Sequence, residues 1–148
     1  MATALTADLP LVTNPEVEIV TKYMRVVGAD IFYKGALVWY TAAGFIEPVP
    51  ANDLECAGVV LEHKVTTAES ELVRVAIRGE FRFNNTGFTI ANTGKLFMPV
   101  APSDDPQQLI PYATGTTCAV GMLSQVKDDA TNGWILIDTS YARTLSAQ

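Results

Sequence analysis

The fold of this chain is decided by the stretch Leu72-Val-Arg-Val-Ala-Ile-Arg78, which alternates between two kinds of side chain. In an extended chain, one face would carry Val73, Val75 and Ile77, and the other would carry Arg74, Ala76 and Arg78. A period of two residues is typical of a strand with one buried face and one solvated face. The stretch therefore predicts a β-strand, and its surroundings continue the pattern.

Short β-type runs lie on both sides of this strand, and the sequence has no convincing amphipathic helix longer than one or two turns. Further strands are predicted at residues 17–27, 36–41, 57–65, 80–83, 88–91, 95–100, 117–126 and 134–139. The fold is therefore expected to be all-β.

The predicted connections between these strands differ in length. Ala43-Gly44 can close a tight hairpin, and Asn and Gly residues tolerate positive φ in the turns expected at 84–87 and 131–133. Residues 99–111 hold four of the eight prolines and predict a long exposed loop. Within that loop, Asp105-Pro106 could cap and start a single helical turn.

Size and composition limit the class of protein. The chain has 148 residues, of which 49% are hydrophobic and 18% charged, so one domain, or two very small ones sharing a core, needs neither disulfides nor metal to fold. The net charge is −6, and the ten basic residues are scattered from Lys22 to Arg143. Nucleic acid and anionic membrane are disfavoured as partners, because both usually require a clustered positive field.

The first residues lack the basic start and apolar core of a secretion signal, and no run approaches the ~18 apolar residues of a membrane span. We therefore expect the protein to be made and assembled in a cytoplasm. Cys56 and Cys118 would stay reduced there, and they are interpreted as small buried hydrophobic residues.

Residues 1–16 show neither helical periodicity nor strict alternation, and they predict an extended N-terminal arm ahead of a single β-rich domain, residues 17–148. A disordered tail is the alternative, because a terminus that nothing ties down is commonly disordered. Apolar side chains favour the arm, since a purely solvating tail would carry more charge. These candidate contact residues are Leu5, Leu9, Leu11 and Val12.

A weak internal similarity with a period of about sixty residues suggests two pseudo-repeats, 30–83 and 88–140. The matched positions are Gly35 with Gly94, Leu37 with Leu96, Phe45-Ile46 with Leu109-Ile110, Gly58 with Gly121, and 72–77 with 133–138. Two such units would pack together as a small β-barrel or sandwich. Glycine-apolar coincidences in small β proteins are the alternative explanation.

The sequence predicts no catalytic, metal or cofactor site. Its one histidine, His63, falls in the predicted strand 57–65 on an apolar face, where a packed or rim position is the usual one. The common zinc sites require further histidines or a CxxC spacing. Carboxylate pairs lie in polar loops and are expected to be solvated; they are Glu69/Glu71, Asp104/Asp105 and Asp128/Asp129. We therefore expect a protein that is not an enzyme.

Three phrases stand out in the first half: Lys34-Gly-Ala-Leu37, Ala57-Gly-Val-Val-Leu-Glu62 and Val73-Arg-Val-Ala-Ile-Arg-Gly79. Three less similar segments follow in the second half: Gly94-Lys-Leu-Phe97, Val120-Gly-Met-Leu123 and Trp134-Ile-Leu-Ile137. Across about residues 30 to 140 the chain resembles the decoration (cement) proteins that bind the outside of tailed-phage capsids.

This resemblance implies a structural protein on the capsid exterior that binds the expanded shell of major capsid protein and strengthens it against internal DNA pressure. It also implies a homotrimer at local threefold positions, without catalytic residues. The arm through Val12 would then contact the capsid, for instance by adding a strand to an exposed sheet edge. Residues 1–16 and the loop 99–111 depart from the family pattern, which leaves the oligomeric state and docking site open.

Two other functions remain as alternatives. A module that binds carbohydrate or a host surface would use an aromatic platform of Trp39, Tyr40, Tyr112 and Trp134, although strand aromatics more often lie in a core. An enzyme of an unfamiliar β-barrel class would need a buried polar pocket that joins Glu62, His63 and Arg74.

Overall fold

A computed structural model of the chain describes residues 7–48, 56–84, 91, 93–94, 96–99, 109–111, 120–126 and 132–138. No α-helix occurs in these ranges, so the all-β prediction is confirmed there. The strands are β1 (Val20–Arg25), β2 (Ile31–Phe32), β3 (Leu37–Tyr40), β4 (Ile46–Glu47), β5 (Cys56–Val60), β6 (Lys64–Val65), β7 (Leu72–Asn84), β8 (Leu96–Pro99), β9 (Leu109–Pro111), β10 (Gly121–Val126) and β11 (Asn132–Asp138).

Nine of these strands form one antiparallel sheet in the order β4-β3-β5-β7-β11-β10-β8-β9, with β1 paired to β7. The other two, β2 and β6, form a separate two-stranded ribbon. β7 is the longest, with 13 residues, and it runs without a break through the point where the sequence predicted two strands. It therefore carries neighbours from both halves of the chain.

Each edge of β7 has two neighbours in succession. On one edge, β1 pairs along Leu72–Arg78, and Thr13 forms a bridge to Phe81 further on. On the other edge, β5 pairs at Val75 and Ala76, and β11 pairs along 78–84. β7 therefore belongs to two groups of strands, one at each of its ends.

Three predicted strands and loops differ from the structure. The predicted strand 57–65 is two strands, because the chain leaves the sheet after Val60 and β6 pairs with β2 instead. Asn132 and Gly133 begin β11 rather than forming a turn. The predicted loop 99–111 contains β9, which pairs with β8 at its end, where an edge position tolerates proline.

One predicted turn is confirmed, and two other predictions lie largely or wholly outside the described residues. The Ala43-Gly44 turn is confirmed: Gly44 has φ 85° and its N–H donates to the carbonyl of Thr41 at 2.9 Å. The predicted strand 88–91 lies outside the described residues apart from Ala91, and Asp105-Pro106 lies outside them too.

The buried side chains form two clusters. Along the central strands, alternate residues pack into different clusters. The first cluster lies within the first half and includes Met24, Val26, Phe32, Val38, Ile46, Val60, Val73 and Val75. The second combines Leu37, Trp39, Val59 and Ala76 with Phe81, Phe83, Leu123, Ile135 and Ile137 of later strands. Both faces of β3 and β5 are thus covered, which explains why β5 is buried at every residue.

Strand pairing follows the same order in both halves. The series β4-β3-β5-β7 is mirrored by β9-β8-β10-β11, and the two series meet where β7 pairs with β11. The registers correspond as well: Leu37 lies opposite Val59 and Val38 opposite Gly58, while Leu96 lies opposite Met122 and Phe97 opposite Gly121. In the first half, a parallel bridge from Val26 to Ile46 also links the end of β1 to β4.

Candidate functional site

The described part of the arm lies against the body of the protein. The Leu9 N–H donates to the carbonyl of Lys34 at 2.9 Å. Further along, the Arg82 N–H donates to the carbonyl of Val12 at 3.0 Å, and the Asn14 N–H donates to the carbonyl of Glu80 at 3.0 Å. Main-chain bonds of this kind are how an extended segment is added to a sheet edge. Residues 12–14 therefore extend the sheet beside the second half of β7.

The four predicted contact residues have different surroundings. Leu5 lies outside the described residues. Leu9 is half-buried and passes close to Gly35, and Leu11 packs against the second core cluster. Val12 keeps 36% of its surface exposed. In this structure Leu9 and Leu11 contact the chain's own body, and their contact with a capsid stays a prediction.

Asp8 anchors the start of this arm. Its carboxylate accepts a hydrogen bond from the backbone N–H of Lys34 at 2.9 Å and lies 2.9 Å from Nδ1 of His63. The hydrogen bond with His63, followed by the one from Lys34, lowers the pKa of Asp8. The Tyr33 ring meets the His63 ring edge-on, with centroids 5.3 Å apart. His63 thus lies at the rim, between β5 and β6 rather than within a strand.

Five exposed basic side chains gather on β1 and β7, although the sequence showed them as scattered. Arg74, Arg78 and Arg82 are all exposed on β7. Arg74 and Arg82 lie on opposite faces of this strand, because its register with β1 shifts between Ala76 and Arg78. We call the whole set, Lys22, Arg25, Arg74, Arg78 and Arg82, the basic ribbon. Across the parts of the chain that the structure describes, none of these side chains makes a hydrogen bond or ion pair.

Exposed apolar surface accompanies the basic ribbon. Tyr23, directly opposite Arg74, is 62% exposed, and Leu72, opposite Arg25, is 49% exposed. Because residues directly opposite each other in an antiparallel pair share a face, these side chains form mixed basic and apolar pairs. Arg25 and Arg74 therefore place positive charge on the same face of this strand pair, in a molecule of net charge −6.

The second edge of β1 is unpaired along Val20–Arg25 within the described residues, and it meets β4 only just beyond, where the Val27 N–H donates to the carbonyl of Ile46 at 3.3 Å. β1 pairs with β7 along one edge, and no described backbone group pairs with Val20–Arg25 along the other. An unpaired edge presents a row of N–H and C=O groups that can accept another strand. The basic ribbon and this edge together form the candidate interaction surface.

The proposed aromatic platform is not exposed where the structure describes it. Trp39 is 1% exposed and Trp134 is 8% exposed, so both belong to the core. Tyr40 is half-buried against the first core cluster, and Tyr112 lies outside the described residues. The most exposed large aromatic side chain described is instead Tyr23, which the sequence did not single out.

The residues considered for catalysis do not share a buried pocket, since Glu62, His63 and Arg74 are all exposed. Cys56 lies in the core, and Cys118 lies outside the described ranges. Among the residues whose positions are described, no group of three or more His, Cys, Asp or Glu is placed to hold a metal ion. The structure, where described, also contains no helix long and apolar enough to cross a membrane.

One predicted loop carboxylate has a structural role. The Glu71 carboxylate accepts hydrogen bonds from the backbone N–H groups of Thr67 and Ala68, and these bonds lower its pKa. It thereby closes the loop that leads into β7. Asp104/Asp105 and Asp128/Asp129 lie outside the described residues.

Comparisons with known proteins give no family assignment. No protein-family model matches the chain, and neither the curated proteins nor the solved structures contain a significant match.

Proposed function

We propose that this chain is a structural protein of a phage virion that binds the outer surface of the capsid shell and stabilises it against internal DNA pressure. The proposal is carried by the positions of the three first-half segments that resemble the decoration proteins. These segments lie on or beside the adjacent strands β3, β5 and β7. The similar segments of the second half lie on or beside β8, β10 and β11, which are paired in the same order. The segments that carry the resemblance therefore lie on corresponding strands in the two halves of the sheet.

The proposal includes a duplicated β unit. We assign Val20–Arg78 to the first unit and 79–138 to the second, so β7 ends one unit and begins the next. In each unit a first strand pairs with the last one: β1 with Leu72–Arg78, and 79–84 with β11. These boundaries lie earlier than the repeats suggested by the sequence.

Matched glycines support this duplication. Gly35 and Gly94 have φ of 85° and 82°, and their N–H groups donate to the carbonyls of Val60 and Leu123. A Cβ on Gly58 would collide with the carbonyl oxygen of Ala76, and a Cβ on Gly121 would collide with that of Leu136. In both units, therefore, the same strand contact leaves no room for a side chain.

The pairing also refines the alignment of the two units. Tyr40 lies opposite Ile46, and Pro99 lies opposite Leu109, so Ile46 corresponds to Leu109 rather than to Ile110. In the first unit, the bridge from Val26 to Ile46 returns the strand series to β4. That link favours a small, partly open barrel for the unit, joined at Val26 and unpaired along Val20–Arg25 within the described residues.

Such a body is suited to mechanical reinforcement rather than chemistry. Nine of its eleven described strands are tied into one sheet through β7, and its arm is held by main-chain bonds. A homotrimer would present three equivalent surfaces to the major capsid protein, and linked sites raise the effective concentration of each contact. Modest individual contacts would then give firm attachment to the shell.

Purified virions and emptied expanded shells test the proposal. We expect the chain to be present in virions at a fixed ratio to the major capsid protein, and to co-sediment with expanded shells but not with unexpanded ones. Particles without it should release DNA at a lower temperature. Absence of the protein from purified virions would overturn the proposal.

A further inference from the structure

The open edge of β1 has a counterpart that is occupied. The segment 79–84 takes the place in the second unit that β1 takes in the first. On the outer edge of 79–84 lies the arm, through the bridge from Thr13 to Phe81 and the hydrogen bonds of Val12 and Asn14. The corresponding place beside β1 has no occupant among the described residues.

The occupied edge also indicates what kind of segment fits. The first 21 residues contain three acidic side chains, Asp8, Glu16 and Glu18, and no basic one. The uncharged residues 12–14 of this segment pair with β7 beside Arg82, and the acidic residues lie on either side of them along the chain. An extended peptide with acidic side chains on both sides of its paired residues is thus the type of segment that the molecule already accepts at a related position.

The side chains on and beside β1 suit the same type of partner. Lys22 and Arg25 lie on the strand itself, and Arg74 lies opposite Tyr23. Main-chain hydrogen bonds would supply affinity, the basic side chains would select for negative charge, and Tyr23 would cover an apolar side chain.

We propose that the open edge of β1 binds an extended acidic segment of a partner polypeptide by strand addition. Naming that partner as a component of the shell rests on the proposed function. A second copy of β1 is a poorer occupant, because it would bring a second Lys22 and a second Arg25 to the same edge. The chain's own arm is already held at β7 by main-chain bonds and by Asp8.

The arm sequence provides a probe. A labelled synthetic peptide with the sequence of residues 7–18 would be added to the full chain, with fluorescence anisotropy reporting binding and hydrogen exchange reporting its location. We expect binding, with slower amide exchange confined to Val20–Arg25. A peptide with its three acidic residues replaced by lysine should bind about tenfold more weakly or worse.

Variants of the protein complete the test. Lys22→Glu combined with Arg25→Glu should weaken peptide binding about tenfold or more, whereas Lys22→Arg combined with Arg25→Lys should preserve it. Circular dichroism would verify that both variants fold.

Three results would overturn the proposal: no binding of the peptide, protection of 79–84 instead of β1, or equal binding by the charge-reversed variant. Protection of β1 in the protein alone, increasing with its concentration, would also overturn it by identifying a second copy as the occupant. Absence of the chain from virions would refute the proposed function but not this site, so the two failures are distinguishable.

Discussion

Gly58 and Gly121 each lie where a neighbouring strand comes too close for a side chain. A Cβ at Gly58 would also approach Cγ1 of Val75 to 2.7 Å, and one at Gly121 would approach Cγ2 of Ile135 to 2.9 Å. Gly58 further has φ 141°, which an L-residue rarely adopts. Both positions are therefore expected to reject alanine.

We predict that Gly58→Ala and Gly121→Ala each lower the free energy of unfolding by about 2–4 kcal/mol, because strands must separate to admit the methyl group. Urea denaturation measures the effect. Gly28→Ala is the matched control: nothing lies within 4 Å of the place its methyl group would take, so a change within about 0.5 kcal/mol is expected. Equal stability of all three variants would contradict the close approach.

The contact between Asp8 and His63 should make arm docking sensitive to acid. The folded-state pKa of Asp8 is lowered, so ionised Asp8 supports docking above the ordinary aspartate range of about 4, and this support is lost as pH falls through the folded pKa. We expect amide exchange in residues 9–14 to accelerate across that range, with β5 amides as the internal control. The variant Asp8→Asn should show fast amide exchange in residues 9–14 already at pH 7. If its exchange at each pH equals that of the unaltered protein, Asp8 does not anchor the arm.

At the level of elements, β7 supports both core clusters. Phe81 is 1% exposed in the second cluster, and removing its ring would leave a cavity between strands of both halves. We predict that Phe81→Ala lowers the free energy of unfolding by about 3–5 kcal/mol. The exposed Tyr23 on the neighbouring strand is the control, and Tyr23→Ala should cost no more than about 0.5 kcal/mol. Chemical denaturation compares the two, and similar losses would contradict the assigned core.

Two deletions separate the roles of the arm. Removing residues 2–14 takes away the main-chain bonds to Lys34, Glu80 and Arg82, so we expect a lower melting temperature. Removing residues 2–6 keeps those bonds and should therefore lower the melting temperature less than the longer deletion does. Co-sedimentation with expanded shells then tests the predicted capsid contact of Leu5. Reduced occupancy after the shorter deletion would support it, and unchanged occupancy would refute it.

The longer elements were predictable because their sequences alternate clearly. The run Leu72–Arg78 and the turn at Gly44 follow directly from local side-chain chemistry. β2 and β4 were missed because two residues cannot show a period, and β6 was merged with β5 in the predicted strand 57–65. The extension of β7 past Gly79 depends on β11 and the arm, which lie far away in sequence.

At the scale of the whole molecule, a positive ribbon on an acidic protein predicts salt-dependent attachment. Charges on an exposed surface are screened beyond about 10 Å at 0.1 M salt. If the ribbon faces the shell, raising sodium chloride from about 50 to about 500 mM should reduce occupancy on expanded shells, as should Arg74→Glu combined with Arg78→Glu. Sedimentation measures both. If occupancy on expanded shells does not respond to salt, the basic ribbon is not part of the interface with the shell.

The candidate surface could be predicted only in part. The apolar character of Leu9 and Leu11 marked them as contact residues, but their partners on the body lie in other parts of the chain. Likewise, Asp8 is 55 residues from His63, and no local pattern connects them. The basic ribbon escaped notice because Lys22 and Arg25 meet the arginines of β7 only through strand pairing.

Continuity of β7 has a consequence for how the protein would carry load. A chain of two units usually bends at a linker, but here one strand, with a register shift between Ala76 and Arg78, passes from the first proposed unit into the second. Tension applied to one end would travel along covalent backbone and load the seven residue pairs between β7 and β11 in shear, all together. Hydrogen bonds loaded in this way resist rupture better than bonds that are unzipped one after another, so we expect the joint between the two proposed units to be stiff rather than hinged.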